Sequence, residues 1–338
     1  MRERVALGVV ALPFLLPHLL GTAGAPPPDE GRVVFRFQDP AIVEASGLVV
    51  QDGLFLTTND SGDSGRVFAV DPDTGGTTGV TSWASEPQDV EALAPAGAGE
   101  VWVGDIGNNL EERDSIRVTR VPVDAGDRED SGTSYDLVLP GPPRDAESLL
   151  SHPRTGRLFV ATKDIFGAAL FAAPTELSSD RPNRMRRVGP TLTFATDGAF
   201  FPDGRHLIIR NYAAAAVYTF PGLERVAGIP LPDQQQGEAI AVSAADRVFV
   251  TSEGRSQAVL EVSLPASVLE RMAPPAEQAA AATTPTPKPR NELPEQPAQP
   301  SRDPWQWVLG AGLFVVAVVV LLLAVRPNVR QRTELPRR

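Results

Sequence analysis

Between Gly31 and Arg271 the apolar positions fall in short clusters separated by turn residues, and the clusters recur. A triplet of apolar residues appears five times, as Leu54-Phe55-Leu56, Val101-Trp102-Val103, Leu158-Phe159-Val160, Leu207-Ile208-Ile209 and Val248-Phe249-Val250. An acidic residue opens a shorter apolar run 11, 11, 12, 11 and 11 residues before the middle of each triplet: Glu44, Glu91, Glu147, Asp197 and Glu238. A third apolar run follows every triplet, around Val67-Phe68-Ala69, Ile116-Arg117-Val118, Leu170-Phe171-Ala172, Val217-Tyr218-Thr219 and Val259-Leu260-Glu261. Turn formers such as Asp71-Pro72-Asp73-Thr74-Gly75 and Pro202-Asp203-Gly204 punctuate the units. The acids lie 47, 56, 50 and 41 residues apart. Short turn-bounded strands at that period predict an all-β fold, a β-propeller whose blades are four-stranded antiparallel sheets. Amphipathic segments long enough for helical repeats do not occur.

Fourth strands are expected near 77–82, 135–139, 187–194 and 225–229, but the fifth copy runs out after three. Residues 32–37, Arg-Val-Val-Phe-Arg-Phe, alternate and have no other partner, so this N-terminal strand is expected to close the ring beside 258–263 and remove an exposed edge. Five blades are counted, with six possible if 107–144 conceals a degenerate copy. The propeller is thus assigned to residues 32–271.

The flanks read differently. Arg2 and Arg4, the apolar stretch Val5–Leu20 and the small residues 21–25 have the order of a signal peptide, cut after Ala23 in preference to Ala25 because Pro26 would follow the latter cut (residues 1–23). Residues 272–304 are rich in Pro, Ala, Thr, Gln and Glu, the composition of a disordered linker. Trp305–Val325 is free of charge and, as a helix, about 30 Å long, enough for one membrane span. Five arginines in the tail 326–338 place that end in the cytoplasm. The expected protein is therefore a single-pass cell-membrane protein whose N-terminal domain lies outside the cytoplasm. A tail this short excludes a cytoplasmic catalytic or DNA-binding module.

With both ends set aside, 24 basic and 40 acidic residues remain, a formal charge of −16. Such a surface disfavours nucleic acid and suits cations or basic partners. There is no cysteine, so neither disulfides nor a catalytic thiol is available. His18 leaves with the signal peptide, while His152 and His206 fall in turns on the face away from the acids, so a Ser-His-Asp triad has no base. No glycine loop of the phosphate-cradling kind is present.

In a blade the first strand lines the central channel and runs antiparallel to the second, so the start of one and the end of the other share a face. That places Glu44 with Asn59 and Asp60, Glu91 with Asp105, Glu147 with Lys163 and Asp164, Asp197 with Arg210 and Asn211, and Glu238 with Glu253. The five acids are candidate metal ligands, and the other eight are candidate ligand-binding residues of the channel face. The acids could instead each accept backbone N–H groups of the next blade. Converging carboxylates repel unless protons or a cation intervene, and oxygen donors suit Ca²⁺ or Mg²⁺. Asp60-Ser61-Gly62-Asp63-Ser64-Gly65 is a second possible cation loop.

Glu44-Ala45-Ser46-Gly47-Leu48, followed by Thr58-Asn59-Asp60-Ser61-Gly62 and later by Asp145-Ala146-Glu147-Ser148-Leu149, resembles the secreted propellers grouped as esterase-like phytases and, more distantly, gluconolactonase-like proteins. The second resemblance implies a divalent metal in the channel, with Glu44 and Asn59 at the positions of ligands. An acid in every blade and the lack of a matched set of asparagines depart from that pattern. The leading expectation is a membrane-anchored binding or scaffold propeller at the cell envelope, its partner an envelope protein or a small molecule. The alternative is a metal-dependent hydrolase of esters, lactones or phosphate esters. A hydrolase needs one asymmetric pocket, whereas a scaffold tolerates a symmetric ring.

Overall fold

The computed structural model describes residues 30–60, 62–83 and 86–274. The expected signal peptide, membrane span and basic tail, and all but the first three residues of the expected linker, lie outside them. No helix among the described residues is long and apolar enough to cross a membrane.

Five sheets form a five-bladed propeller. Blade 1 runs from the channel outward as Ala45–Gln51, Leu54–Asn59, Arg66–Val70 and Thr77–Ser82. Blade 2 is Val90–Pro95, Glu100–Asp105, Ile116–Pro122 and Thr133–Val138, and blade 3 is Ala146–Ser151, Leu158–Thr162, Ala169–Ala172 and Arg186–Pro190. Blade 4 is Asp197–Phe200, His206–Arg210, Ala214–Thr219 and Arg225–Pro230. Blade 5 has Gly237–Val242, Val248–Ser252 and Ala258–Val262, and its outermost strand is Arg32–Arg36 from the N-terminus, antiparallel to Ala258–Val262 with Arg32 opposite Glu261.

The triplets are uninterrupted runs of apolar residues because the second strand of each blade is buried on both faces. Phe55 packs between blades 5 and 1 while Leu56 packs between blades 1 and 2. Trp102 likewise faces blade 3 while Val101 and Val103 face blade 1. Five apolar clusters result, one at each junction between neighbouring blades.

The long segment 107–144 holds no sixth blade. It supplies the third and fourth strands of blade 2 and a two-residue strand, Arg128–Glu129, that pairs parallel with the outer strand of blade 1. Asn183–Arg184 does the same for blade 2. Each piece covers a sheet edge that would otherwise be open. The outer strand of blade 3 stops at Pro190, short of the expected 194, where the chain turns toward blade 4. A short helix, Ala266–Met272, follows blade 5 and buries Val268 in the junction of blades 4 and 5. The ordered domain therefore reaches into the first residues of the expected linker.

Candidate functional site at the channel mouth

The expected ring of five acids is not what the fold builds. The carbonyl of Glu44 accepts the N–H of Asp60, as that of Asp145 accepts Lys163 and that of Gln236 accepts Glu253. Glu44 is therefore the counterpart of Asp145 and Gln236, and the residue of blade 1 that stands where Glu91, Glu147 and Glu238 stand is Ser46. One cause is the inner hairpin of blade 1, which turns on two residues, Asp52 and Gly53, both at positive φ. In blade 2 the same connection takes four, 96–99. Between matched pairs, Gly47 opposite Thr58 and Ala92 opposite Gly104, blade 1 is one residue shorter, and the match of Trp102 is Leu56, one place beyond Phe55, so a constant distance to the middle of the triplet landed two residues early. Glu44 is exposed at the rim.

Asp197 departs in the other direction. It is fully buried, and its carboxylate accepts the N–H of Gly198 at 2.7 Å and of Ile240, in blade 5, at 2.8 Å. It is the one acid of the five that performs the blade-to-blade service weighed from the sequence. Burial pushes its pKa well up, against those two hydrogen bonds and the charge of Arg210.

Three glutamates remain at the mouth, and their charges interact. Burial, then Glu147, Asp60 and Asp89, pushes Glu91 up to about 11. Burial pushes Glu147 up to about 8 although Lys163 opposes it, and Glu238 up to about 7. Lys163 forms an ion pair with Glu147, and its ammonium lies 5.4 Å from the centre of the Tyr212 ring. Burial alone would lower Lys163, but Glu147 lifts it above the usual lysine range, so it stays cationic.

Where blades 1 and 2 meet at the mouth, carboxylate oxygens of Asp60, Asp89 and Glu91 all lie within 4.8 Å of one another. Oxygens that share one Ca²⁺ at about 2.4 Å each are separated by no more than about 5 Å, so the three fit one ion. Burial and the charge of Asp60 raise Asp89. Ser46 reaches across from blade 1 to donate to the carbonyl of Glu91 at 2.8 Å and to its carboxylate at 3.3 Å. Gly107 makes room for the pair: a Cβ there would come within 2.2 Å of Asp89 Oδ2 and 2.7 Å of Glu91 Oε1.

Of the eight expected ligand-binding residues, Asp60, Lys163 and Glu253 belong to this mouth. Burial, Asp60 and Glu44 raise Glu253. The side chains of the other five are taken up in holding loops. Asn59 Oδ1 accepts the N–H groups of Val43 and Glu44, and its Nδ2 donates to Ala41 O and Asp63 Oδ2, which leaves no donor free for a ligand. Asp105 is bonded by Arg113 and by the N–H groups of Gln88 and Asp89, and Asp164 by Arg144 and Thr162. Arg210 is fully buried and donates to the carbonyls of Ala239 and Thr251, while Asn211 caps its own turn at Ala213 and Ala214. Of the two residues at ligand positions in the gluconolactonase resemblance, Glu44 is exposed at the rim and Asn59 spends its amide on its own loop.

In the second candidate loop, Ser61 lies outside the described residues. Asp63 is held by Arg66 at 2.8 Å and by Asn59, which keep its pKa low despite burial. The loop is closed by an arginine.

The sequence reading missed Asp89, Gly107 and Tyr212. A signal for the first was present, since Asp89-Val90-Glu91 repeats as Asp145-Ala146-Glu147.

The far end of the channel has different chemistry. A cavity of about 480 Å³ opens there, walled by Leu48, Leu93, Leu149, Phe200 and Ala241 of the inner strands, with His152 at its edge. His152 Nε2 lies 3.1 Å from the carbonyl of Gly204 and its Nδ1 accepts the N–H of Arg154, and His206 faces Asp203. Both histidines stand away from the acidic mouth.

No protein-family model matches the chain, and no curated protein does. Among solved structures, a gluconolactonase of Xanthomonas campestris, described as important in glucose secondary metabolic pathways, is similar over 72% of this chain and 99% of its own, at 13% identity and a TM-score of 0.42.

Proposed function

We propose that the propeller is a divalent-cation-dependent hydrolase of esters, lactones or phosphate esters, with its site at the acidic channel mouth. The observation that carries this reading is the asymmetry of the mouth: Asp60, Asp89 and Glu91 converge where blades 1 and 2 meet, and the only lysine of the domain stands in blade 3, paired with Glu147. A packing ring or a scaffold would have no need of that difference.

Asp60, Asp89 and Glu91 would hold the cation, with Gly107 keeping the space and Ser46 fixing Glu91. When bound, a Ca²⁺ or Mg²⁺ ion supplies Lewis acidity and a more acidic water. Lys163 presents a fixed positive charge to the oxygen that becomes anionic during acyl or phosphoryl transfer. Glu147 holds that ammonium in place, and Tyr212 covers one side of it. Burial holds Glu238 up to about 7, so its carboxyl group would gain and lose a proton near neutral pH.

The flanking segments support a setting outside the cytoplasm, with the domain delivered by the signal peptide and tethered by 305–325. Protease added to intact cells should then release the domain, and its protection until lysis would refute that setting.

The chemical test uses residues 24–274, which contain all five junctions and the closing strand. A cation that binds only the folded state stabilises it by about 2.7 kcal/mol at a hundredfold excess over the dissociation constant. Millimolar Ca²⁺ should raise the melting temperature by several degrees over chelator, and p-nitrophenyl acetate, a δ-lactone or p-nitrophenyl phosphate should be cleaved only with the cation. Lys163→Met should abolish cleavage and leave cation binding in place. An unmoved melting temperature with no cleavage of any of the three would leave the domain a binding or scaffold module.

A further inference from the structure

Among the described residues, seven large apolar side chains are exposed: Val33, Leu110, Ile165, Phe166, Phe194, Tyr212 and Leu269. Five of them stand on the face of the acidic mouth. Leu110 lies between the second and third strands of blade 2, Ile165 and Phe166 in the same connection of blade 3, and Tyr212 in that of blade 4. Phe194 leads into the first strand of blade 4. Scattered exposed apolar residues need no explanation, but a one-sided group beside a polar pocket does.

The group is joined to the site through short links. Leu110 follows Asn109, whose Nδ2 donates to Asp89 at 3.3 Å. Ile165 and Phe166 come two and three residues after Lys163, and Tyr212 packs on that lysine. The N–H of Phe194 donates to Asp164 O at 3.3 Å, and Asn211 donates to Thr193 O at 3.3 Å, so the loops of blades 3 and 4 support each other. The corresponding connections of blades 1 and 5 carry Asp60, Asp63 and Ser64, and Glu253, Arg255 and Gln257. The mouth is therefore polar at its centre and along blades 1 and 5, with its apolar residues on the connections of blades 3 and 4 and Leu110 the single apolar one among the polar residues 108–115 of blade 2. A protein-binding hot spot has the opposite plan, with an apolar centre inside a polar rim.

We infer that the substrate is a single-chain amphiphile, an acyl ester or alkyl phosphate ester whose oxygen-rich head enters the mouth and whose chain lies across Leu110, Ile165, Phe166 and Phe194. This rests on the cation-dependent reading for the head but on the apolar collar alone for the tail. The reaction adds water across the ester bond, giving an acid and an alcohol, and needs no other co-reactant.

Octyl phosphonate and methyl phosphonate, both resistant to hydrolysis, separate the two parts when titrated calorimetrically into residues 24–274 in Ca²⁺ and in chelator. Partial burial of seven additional methylenes on an open collar should make the octyl compound bind about tenfold more tightly. The double variant Leu110→Ser, Phe166→Ser changes side chains that are 79% and 90% exposed, so the fold should stand, and the advantage should vanish. Equal affinity for the two compounds, no binding of the octyl compound to calcium-loaded protein, or an advantage that survives in the variant would each overturn the inference. An octyl advantage that persists in chelator would support the collar and refute the cation. Sedimentation showing a dimer that Phe166→Ser dissociates, with phosphonate binding unchanged, would make the collar a subunit interface and overturn the inference as well.

Discussion

Ser46, Glu91, Glu147 and Glu238 occupy one position of the first strand, and their surroundings give each a different task. Ser46 anchors Glu91, Glu147 is neutralised by Lys163, and Glu91 has two further carboxylates for company. Asp197, by contrast, satisfies two backbone donors. This division predicts opposite responses to substitution. Asp197→Ala leaves the N–H groups of Gly198 and Ile240 buried without an acceptor and should cost about 2–3 kcal/mol in chelator and in Ca²⁺ alike. Glu91→Gln removes a carboxyl group that burial, then Glu147, Asp60 and Asp89, keep protonated in the fold, and with it the cost of taking up that proton, so it should hold or raise the melting temperature in chelator while abolishing the response to Ca²⁺. Thermal melts of both variants in both media check this. A Glu91→Gln protein that is less stable in chelator and still responds to Ca²⁺ would contradict it.

At the scale of strands and blades, closure of the ring is the step with most at stake. Phe35 makes edge-on contacts with Phe37 and Phe55, and Phe55 with Phe249, so one aromatic row joins the N-terminal strand to blades 1 and 5. Glu261 pairs with both Arg32 and Arg247 across the closing sheet. Phe37 is fully buried, and Phe37→Ala should cost about 3–5 kcal/mol by denaturant unfolding. Deleting residues 26–37 should expose the edge of 258–262 and cause aggregation. A soluble deletion protein with an unchanged melting temperature would show the closing strand to be dispensable. The second strands were legible because a strand buried on both faces must be apolar throughout, which is why all five triplets were found, and the closing strand was legible because it alternates and the fifth copy lacked a fourth strand. Register within the first strands was not, because it depends on turn length: Asp52-Gly53 and the longer 96–99 loop displace the acids differently. The burial of Asp197 was hidden for a related reason, since its partner Ile240 belongs to another blade and stands 43 residues away.

For the molecule as a whole, the mouth ties stability to pH and to cations with a definite sign. Glu91, Glu147 and Glu238 have an ordinary pKa of 4.5 and stand at about 11, 8 and 7 when folded. Between 4.5 and those values the folded state binds more protons than the unfolded, so stability falls as pH rises through the window. Glu261 acts at the other limb: Arg247 and Arg32 lower it to about 2, so its contribution is present above 4.5 and lost as pH falls toward 2. Lys163, raised when folded, contributes fully below the ordinary lysine value of 10.5 and so adds no slope between pH 5 and 9. In chelator the melting temperature should therefore be highest near pH 5 and decline toward pH 9. A cation held by Asp60, Asp89 and Glu91 competes with protons at Glu91, so its affinity should rise over that range, and saturating Ca²⁺ should lessen the decline by the share that Glu91 contributes. Melts at each pH unit from 4 to 9, with and without Ca²⁺, test both statements. A level profile in chelator would mean that the carboxylates are not forced together. A decline that Ca²⁺ leaves untouched would mean that protons, and not a cation, are what the mouth is built to hold.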